Sequence, residues 1–141
     1  MTLATILQQR DRDIVSVAPN TLVHEVVELL DARSIGAVPV LDGGEVVGIM
    51  SERDVIHALR REGAAMLDWP VSRVMTQPAV TVAPDTSLLA GLSLMTRRRF
   101  RHLPVVDEGR LVGFVSIGDL VKARIDRIEQ EADAMRAYIA G

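Results

Sequence analysis

The 141-residue chain contains no cysteine. That absence removes disulfides, thiol catalysis and cysteine-based zinc sites together, and leaves the compartment open. Aromatic residues make up only 3% of the chain, so any core has to be built from Val, Leu, Ile and Ala. The three histidines, His24, His57 and His102, fall in different predicted elements and show no metal-ligand spacing. His24 and His57 read as ordinary helix residues. No apolar run approaches the roughly 20 residues that a membrane-crossing helix needs. The start, MTLATILQQRDRD, lacks the basic region and apolar stretch of a secretory signal. No G-x-S-x-G, Walker loop or G-x-G-x-x-G occurs, and nothing pairs a nucleophile with a base. A net charge of −3 argues against bulk attraction to nucleic acid or to an acidic membrane. These absences predict a cytoplasmic, non-enzymatic protein with no nucleic-acid or membrane partner.

What the chain does contain is a duplication. GIMSERD at 48–54 returns as GFVSIGD at 113–119. Val15-Ser16-Val17-Ala18-Pro19 matches Val80-Thr81-Val82-Ala83-Pro84, and Val38-Pro39-Val40-Leu41-Asp42 matches Leu103-Pro104-Val105-Val106-Asp107. Residues 14–57 map onto 79–122 without a gap, with about a third of the positions identical. Two copies are too few for a solenoid, so they are expected to pack on each other.

Each copy predicts β-α-β-β-α. In the first, Ile14–Val17 is a β-branched run stopped by Ala18-Pro19, and Asn20 or Thr21 is placed to cap the next helix. Leu22, Val23, Val26, Val27, Leu29 and Leu30 recur at helical spacing. Two apolar strands then flank the hairpin signal Asp42-Gly43-Gly44, and Ser51 opens a second helix to about Arg61. The predicted organisation is repeat 1 at 1–62, a linker at 63–72, repeat 2 at 73–124 and a C-terminal helix at 125–141. Trp69, in the linker, is expected to plug the interface between the repeats.

The duplicated V-x-V-x-P, h-P-V-h-D and G-h-h-S-x-x-D elements, in one order and one register, resemble tandem cystathionine-β-synthase (CBS) domains, the two-repeat Bateman module. The resemblance implies an α/β fold in which two pseudo-twofold-related repeats form a disc with clefts at their interface. It also implies a regulatory module that binds adenosine-containing ligands: AMP, ADP or ATP, with NAD(H) and S-adenosylmethionine among the family's other ligands. The competing reading is a structural homodimerisation module with empty clefts.

Ser-x-x-Asp at a helix start is by itself a capping box. The same turn also presents unpaired N–H groups and a carboxylate able to accept from ribose hydroxyls. In the family the matching Asp holds ribose and the matching Ser lies near ribose or phosphate, which implicates Ser51, Asp54, Ser116 and Asp119. Repeat 2 carries a basic run, Arg97 to His102, where repeat 1 has Ala32 to Ala37. In nucleotide-binding CBS pairs a His-Arg pair before the same L-P-V contacts phosphate; here the order is Arg101-His102. A guanidinium clamps phosphate oxygens in pairs, so Arg101 is the first choice for that role and Arg99 the second. The family's adenine slot implies Val17, Gly36, Ala37, Val38 and Phe114 around Asp119, and Thr81, Val82, His102, Leu103 and Ile49 around Asp54. Arg53 stands where repeat 2 has Gly118, so the pockets are expected to differ, with Asp119 and Arg101 expected together in the one that takes the more charged ligand.

The tail continues as LVKARIDRIEQEADAMRAYIAG. Val121, Ile125, Ile128, Ala132, Met135 and Ile139 alternate steps of four and three, a heptad seam that predicts pairing with a second chain. The resemblance likewise implies a homodimer.

Overall fold

The computed structural model describes residues 1–10 and 13–141. Its elements run α1 (Leu3–Gln8), α2 (Val23–Arg33), β1 (Ala37–Asp42), β2 (Glu45–Ser51), α3 (Glu52–Glu62), α4 (Leu88–Arg98), β3 (His102–Asp107), β4 (Arg110–Ser116) and α5 (Ile117–Ala140), with two short 3₁₀ turns at Ala64–Asp68 and Val71–Arg73. The mixed α/β architecture of two hairpin-plus-helix repeats and a C-terminal helix is the expected one.

Both hairpins have the same register for the same reason. Gly43 and Gly44 both hold positive φ, the conformation that a tight two-residue hairpin turn demands. Glu108-Gly109 makes the matching turn in repeat 2, with Glu108 in the left-handed region at φ 50°. Each hairpin carries an irregularity near its tip, between Val40 and Leu41 and between Val105 and Val106. β1 and β3 are buried along most of their length, so their apolar runs fill the middle of each repeat.

The predicted leading strands shrink to single parallel bridges, Val17 to Val40 and Val82 to Val105. Val17 N donates to Pro39 O and its own carbonyl accepts from Leu41 N, and Pro19 turns the chain before further pairing can form. Helix α2 is not capped by Asn20 or Thr21. Its N-cap is Leu22, with no side-chain bond, and Thr21 Oγ1 instead accepts from Ala18 N. In repeat 2 Ser87 caps α4 through Ala90 N.

Two cores form, one per repeat. Val23, Val26, Val38, Val40, Met50, Met66 and Val71 make the first. Leu88, Met95, Leu103, Val105, Val115 and Leu120 make the second, joined by Leu3 and Ile6 from α1. The first residues of the chain, counted with repeat 1 in the sequence reading, therefore complete the core of repeat 2. They are tied there by Leu3 N to Thr86 O and Ala4 N to Pro84 O. Helix α1 lies outside the duplicated pattern, although Leu3, Ile6 and Leu7 spell its buried face at helical spacing. Trp69 does not plug the interface between repeats. It packs on the repeat 1 core, its carbonyl accepts from Val23 N, and the Arg73 guanidinium lies 3.6 Å from its ring centroid.

Candidate functional site

The two Ser-x-x-Asp turns form full capping boxes. Ser51 Oγ accepts from Asp54 N at 3.2 Å while Asp54 Oδ2 accepts from Ser51 N at 2.9 Å. Ser116 and Asp119 repeat this at 3.1 and 2.8 Å. The first N–H of each following helix donates to the segment that enters its own repeat's hairpin: Glu52 N to Gly36 O, and Ile117 N to Arg101 O. These bonds satisfy orphan donors and fix where the carboxylates sit. Each carboxylate lines a cavity of its own.

The Asp54 cavity, about 320 Å³, takes Ile49, Ser51, Arg53 and Asp54 from one repeat and Arg99, Phe100, Arg101 and His102 from the other. Its remaining wall includes Pro78, Ala79 and Val80. The Asp119 cavity, about 270 Å³, joins Phe114, Ser116 and Asp119 to Gly36 and Ala37, with Ile14 and Val15 beside them. Each repeat's Ser-x-x-Asp thus faces the other's pre-strand segment, as a pseudo-twofold requires. Gly36 and His102 line both cavities.

Several expected residues lie elsewhere. Arg101 shares the cavity of Asp54, not that of Asp119, because the crossing that brings His102 to Asp54 carries the preceding residues 99–101 along with it. Val17 and Val82 do not line either cavity, being held in the bridges to β1 and β3; the neighbours Val15 and Val80 take their place. Thr81 is exposed and lines neither. Val38 and Leu103 are fully buried in the two cores.

Other lining residues are absent from the expected set. His57, read from the sequence as an ordinary helix residue, is at the rim of the Asp54 cavity with Arg98 and Glu52. Thr76 Oγ1 donates to Asp54 Oδ1 at 2.8 Å. In the other cavity the carboxylate is met by an arginine: Arg10 Nη1 donates to Asp119 Oδ2 at 3.1 Å and to Phe114 O at 3.3 Å. Arg10 Nε is buried with no partner among the described residues. The pairing spans 109 positions, so no local signal reveals it. Gly48 is required by close approach, since a Cβ would strike the Thr76 carbonyl oxygen at 2.9 Å as well as the Met75 side chain, whereas at Gly113 a Cβ would press on the Leu7 side chain.

The imidazole of His102 stacks on Phe114, with centroids 5.5 Å apart and planes 10° from parallel. Burial holds its pKa below the ordinary value of 6.5, against the pull of Asp119 and Glu52 and with a smaller push from Arg101. It is therefore neutral near pH 7, and offers the cavities a ring face and one acceptor nitrogen instead of a charge. Among the described residues no three His, Cys, Asp or Glu side chains gather as a metal site would need. Among them, too, no helix is long and apolar enough to cross a membrane.

Known proteins share this fold. The CBS domain model matches twice, at residues 10–61 and 71–126. The crystal structure of a CBS-domain containing protein from Agrobacterium tumefaciens superposes with a TM-score of 0.84 at 42% identity, covering 88% of this chain and 99% of that one. The structure of CBSX2 in complex with AMP matches with a TM-score of 0.73 at 28% identity, over 89% of this chain and 96% of that one. The mitochondrial CBS domain-containing protein CBSX3 of Arabidopsis thaliana is 34% identical over 124 residues, which is 84% of this chain and 60% of that protein. With both repeats matched and the clefts built from both, the chain belongs to the CBS domain family as a tandem pair.

Proposed function

We propose that this protein is a non-catalytic regulatory module that binds an adenine nucleotide of the AMP, ADP or ATP class between its repeats. The observation that carries this reading is the joining of Asp54 with Arg99 and Arg101 in one cavity. A ribose diol donates to the Asp54 carboxylate, and guanidinium groups across the cleft receive the phosphate. Ile49, Ala79, Val80 and Phe100 supply apolar surface for the base. A volume near 320 Å³ suits one mononucleotide better than a dinucleotide such as NAD(H). The complex of the relative CBSX2 with AMP supports the same ligand class. Asp54 and Asp119 line separate cavities, so they do not form a carboxylate pair for acid–base chemistry. Calorimetric titration of AMP, ATP, NADH and S-adenosylmethionine tests the reading. AMP or ATP binding that weakens about tenfold or more in Asp54→Ala is expected. Binding of none of the four, or binding unchanged by that substitution, overturns it.

We further propose that the unit is a homodimer joined through α5. Val121, Ile125, Ile128, Met135 and Ile139 are 42–77% exposed along one stripe of that helix. The residues flanking the stripe are complementary in charge: Arg124 and Glu129, then Glu131 and Arg136, stand five apart. That is the offset at which flanking positions of two parallel helices meet.

A further inference from the structure

The mouth of the Asp54 cavity carries more cations than one phosphate uses. Arg99 and Arg101 suffice to grip a single phosphate group, yet Arg53 and Arg98 stand in the same wall. Only Asp54 and Glu52 oppose these four arginines in the lining, and none of the four makes an ion pair with a described residue. The surplus continues outward along α3. His57 lines the cavity and also a neighbouring hollow, whose other lining residues are Arg60 and Arg61. Positions 53, 57, 60 and 61 follow the spacing that puts side chains on one face of a helix. Arg60 and Arg61 likewise have no ionic partner among the described residues. As cations in the last turn of α3 they suit its dipole, which explains their charge but not their position on the face that leads to the cavity. Helix α3 starts at the cavity, and the Cα–Cβ bonds of a helix tilt toward its N-terminus, so both arginines are directed back toward the mouth. Repeat 2 lacks the feature: Gly118, Lys122, Ile125 and Asp126 occupy the matching positions. In a chain of net charge −3, this one-sided gathering of arginines is not a property of the whole surface.

We propose that the phosphate chain of the bound nucleotide leaves the Asp54 cavity across His57 and is received by Arg60 and Arg61, so that the protein selects nucleoside triphosphates over AMP. The inference rests on the reading of the Asp54 cavity as a nucleotide site and narrows its ligand class. Ribose and the first phosphate stay inside, on Asp54, Arg99 and Arg101. Arg53 and Arg98 meet the second phosphate at the mouth, and the α3 face holds the third. Arg60 stands about 10 Å along the helix axis from Arg53, so these cations mark a track longer than one phosphate. Each further phosphate brings oxygens that a guanidinium fork can pair with, and charge for arginines that nothing else neutralises. All of these cationic groups are exposed, so their attraction is screened by salt.

The test is calorimetric titration of the full chain with adenosine, AMP, ADP, ATP and inorganic tripolyphosphate, all free of magnesium. Affinity is expected to rise from AMP through ADP to ATP, by about tenfold or more overall at low salt, and most of that gain should vanish at about 0.5 M salt. Arg60→Gln combined with Arg61→Gln changes two exposed side chains, so the variant is expected to fold. It should bring ATP down to the affinity of ADP and leave AMP unchanged. ATP no tighter than AMP, or a variant that weakens AMP as much as ATP, overturns this inference and leaves the nucleotide reading standing. Tripolyphosphate that binds as tightly as ATP, with adenosine and AMP silent, assigns the arginines to inorganic polyphosphate and overturns both. Failure of every nucleotide to bind overturns both as well.

Discussion

His102 and Phe114 lie ring on ring, 5.5 Å between centroids, with the imidazole in the wall that separates the two cavities. Because burial disfavours the imidazolium, the unfolded chain takes up this proton at a higher pH than the folded one. The stability that His102 contributes is therefore intact above about pH 6.5 and is lost as the pH falls below it. Asp119 and Glu52 soften the loss and Arg101 sharpens it. Thermal melts between about pH 5 and 7.5 should show Tm falling on the acid side, with a shallower slope in His102→Gln. An unchanged slope in that variant would remove His102 as the cause.

Gly36 is the backbone counterpart of that wall. A Cβ placed on it would meet Glu52 Oε1 at 2.8 Å and the His102 ring at 3.6 Å. The Glu52 side chain is exposed and can swing aside, so Gly36→Val should cost little stability while its methyl groups intrude on both cavities. Nucleotide affinity at the Asp54 cavity should drop by about tenfold. Calorimetry with the melting temperature as control checks this; a large fall in Tm with binding retained would contradict it.

Leu3 has no exposed surface and belongs to the core of repeat 2, although the chain runs from it directly into repeat 1. Leu3→Ala should cost about 2–5 kcal/mol, the range for truncating a buried leucine. The location of the damage is the sharper expectation. Amide exchange should accelerate in β3 and β4 and much less in β1 and β2, because the buried residues of α1 join the second core. Uniform acceleration would show that the two cores unfold as one unit.

What is legible in the sequence follows from how local its physics is. The hairpins, the capping boxes and the Ser-x-x-Asp turns are set by residues within four positions of each other, and all lie where the repeat predicts them. The crossing of one repeat's slot to the other repeat's carboxylate also follows, since the duplication implies a pseudo-twofold. Arg101 obeys that crossing, and its expected pairing with Asp119 fails because the two belong to the same repeat. Thr76 and Arg10, the partners of Asp54 and Asp119, come from segments that precede the duplicated stretches and reach across the fold. Only tertiary packing brings them in. Val17 and Val82 are absent from the slot because each is pinned by a single bridge, and the residues two positions earlier face the cavities instead.

The α5 stripe yields the most separable prediction, because its outer part lies clear of both cores. Ile125 and Ile128 are half exposed, whereas Leu120, one turn earlier, is fully buried on Gly91 and the second core. Ile125→Asp combined with Ile128→Asp should therefore leave the repeats folded and dissociate the pair, giving half the mass by light scattering at micromolar concentration. A milder change reads the orientation. In a parallel pair, Glu129→Lys sets a second cation against Arg124 of the other helix, and Glu131→Lys does the same against Arg136. Like charges at these flanks weaken the pairing. Adding Arg124→Glu and Arg136→Glu to the same chain restores the complementarity with its signs exchanged. The fourfold variant should regain the dimer that the twofold variant loses, and melt close to the natural protein. Recovery fails if the helices do not meet through these flanks, and a monomeric natural chain at every concentration overturns the pairing altogether.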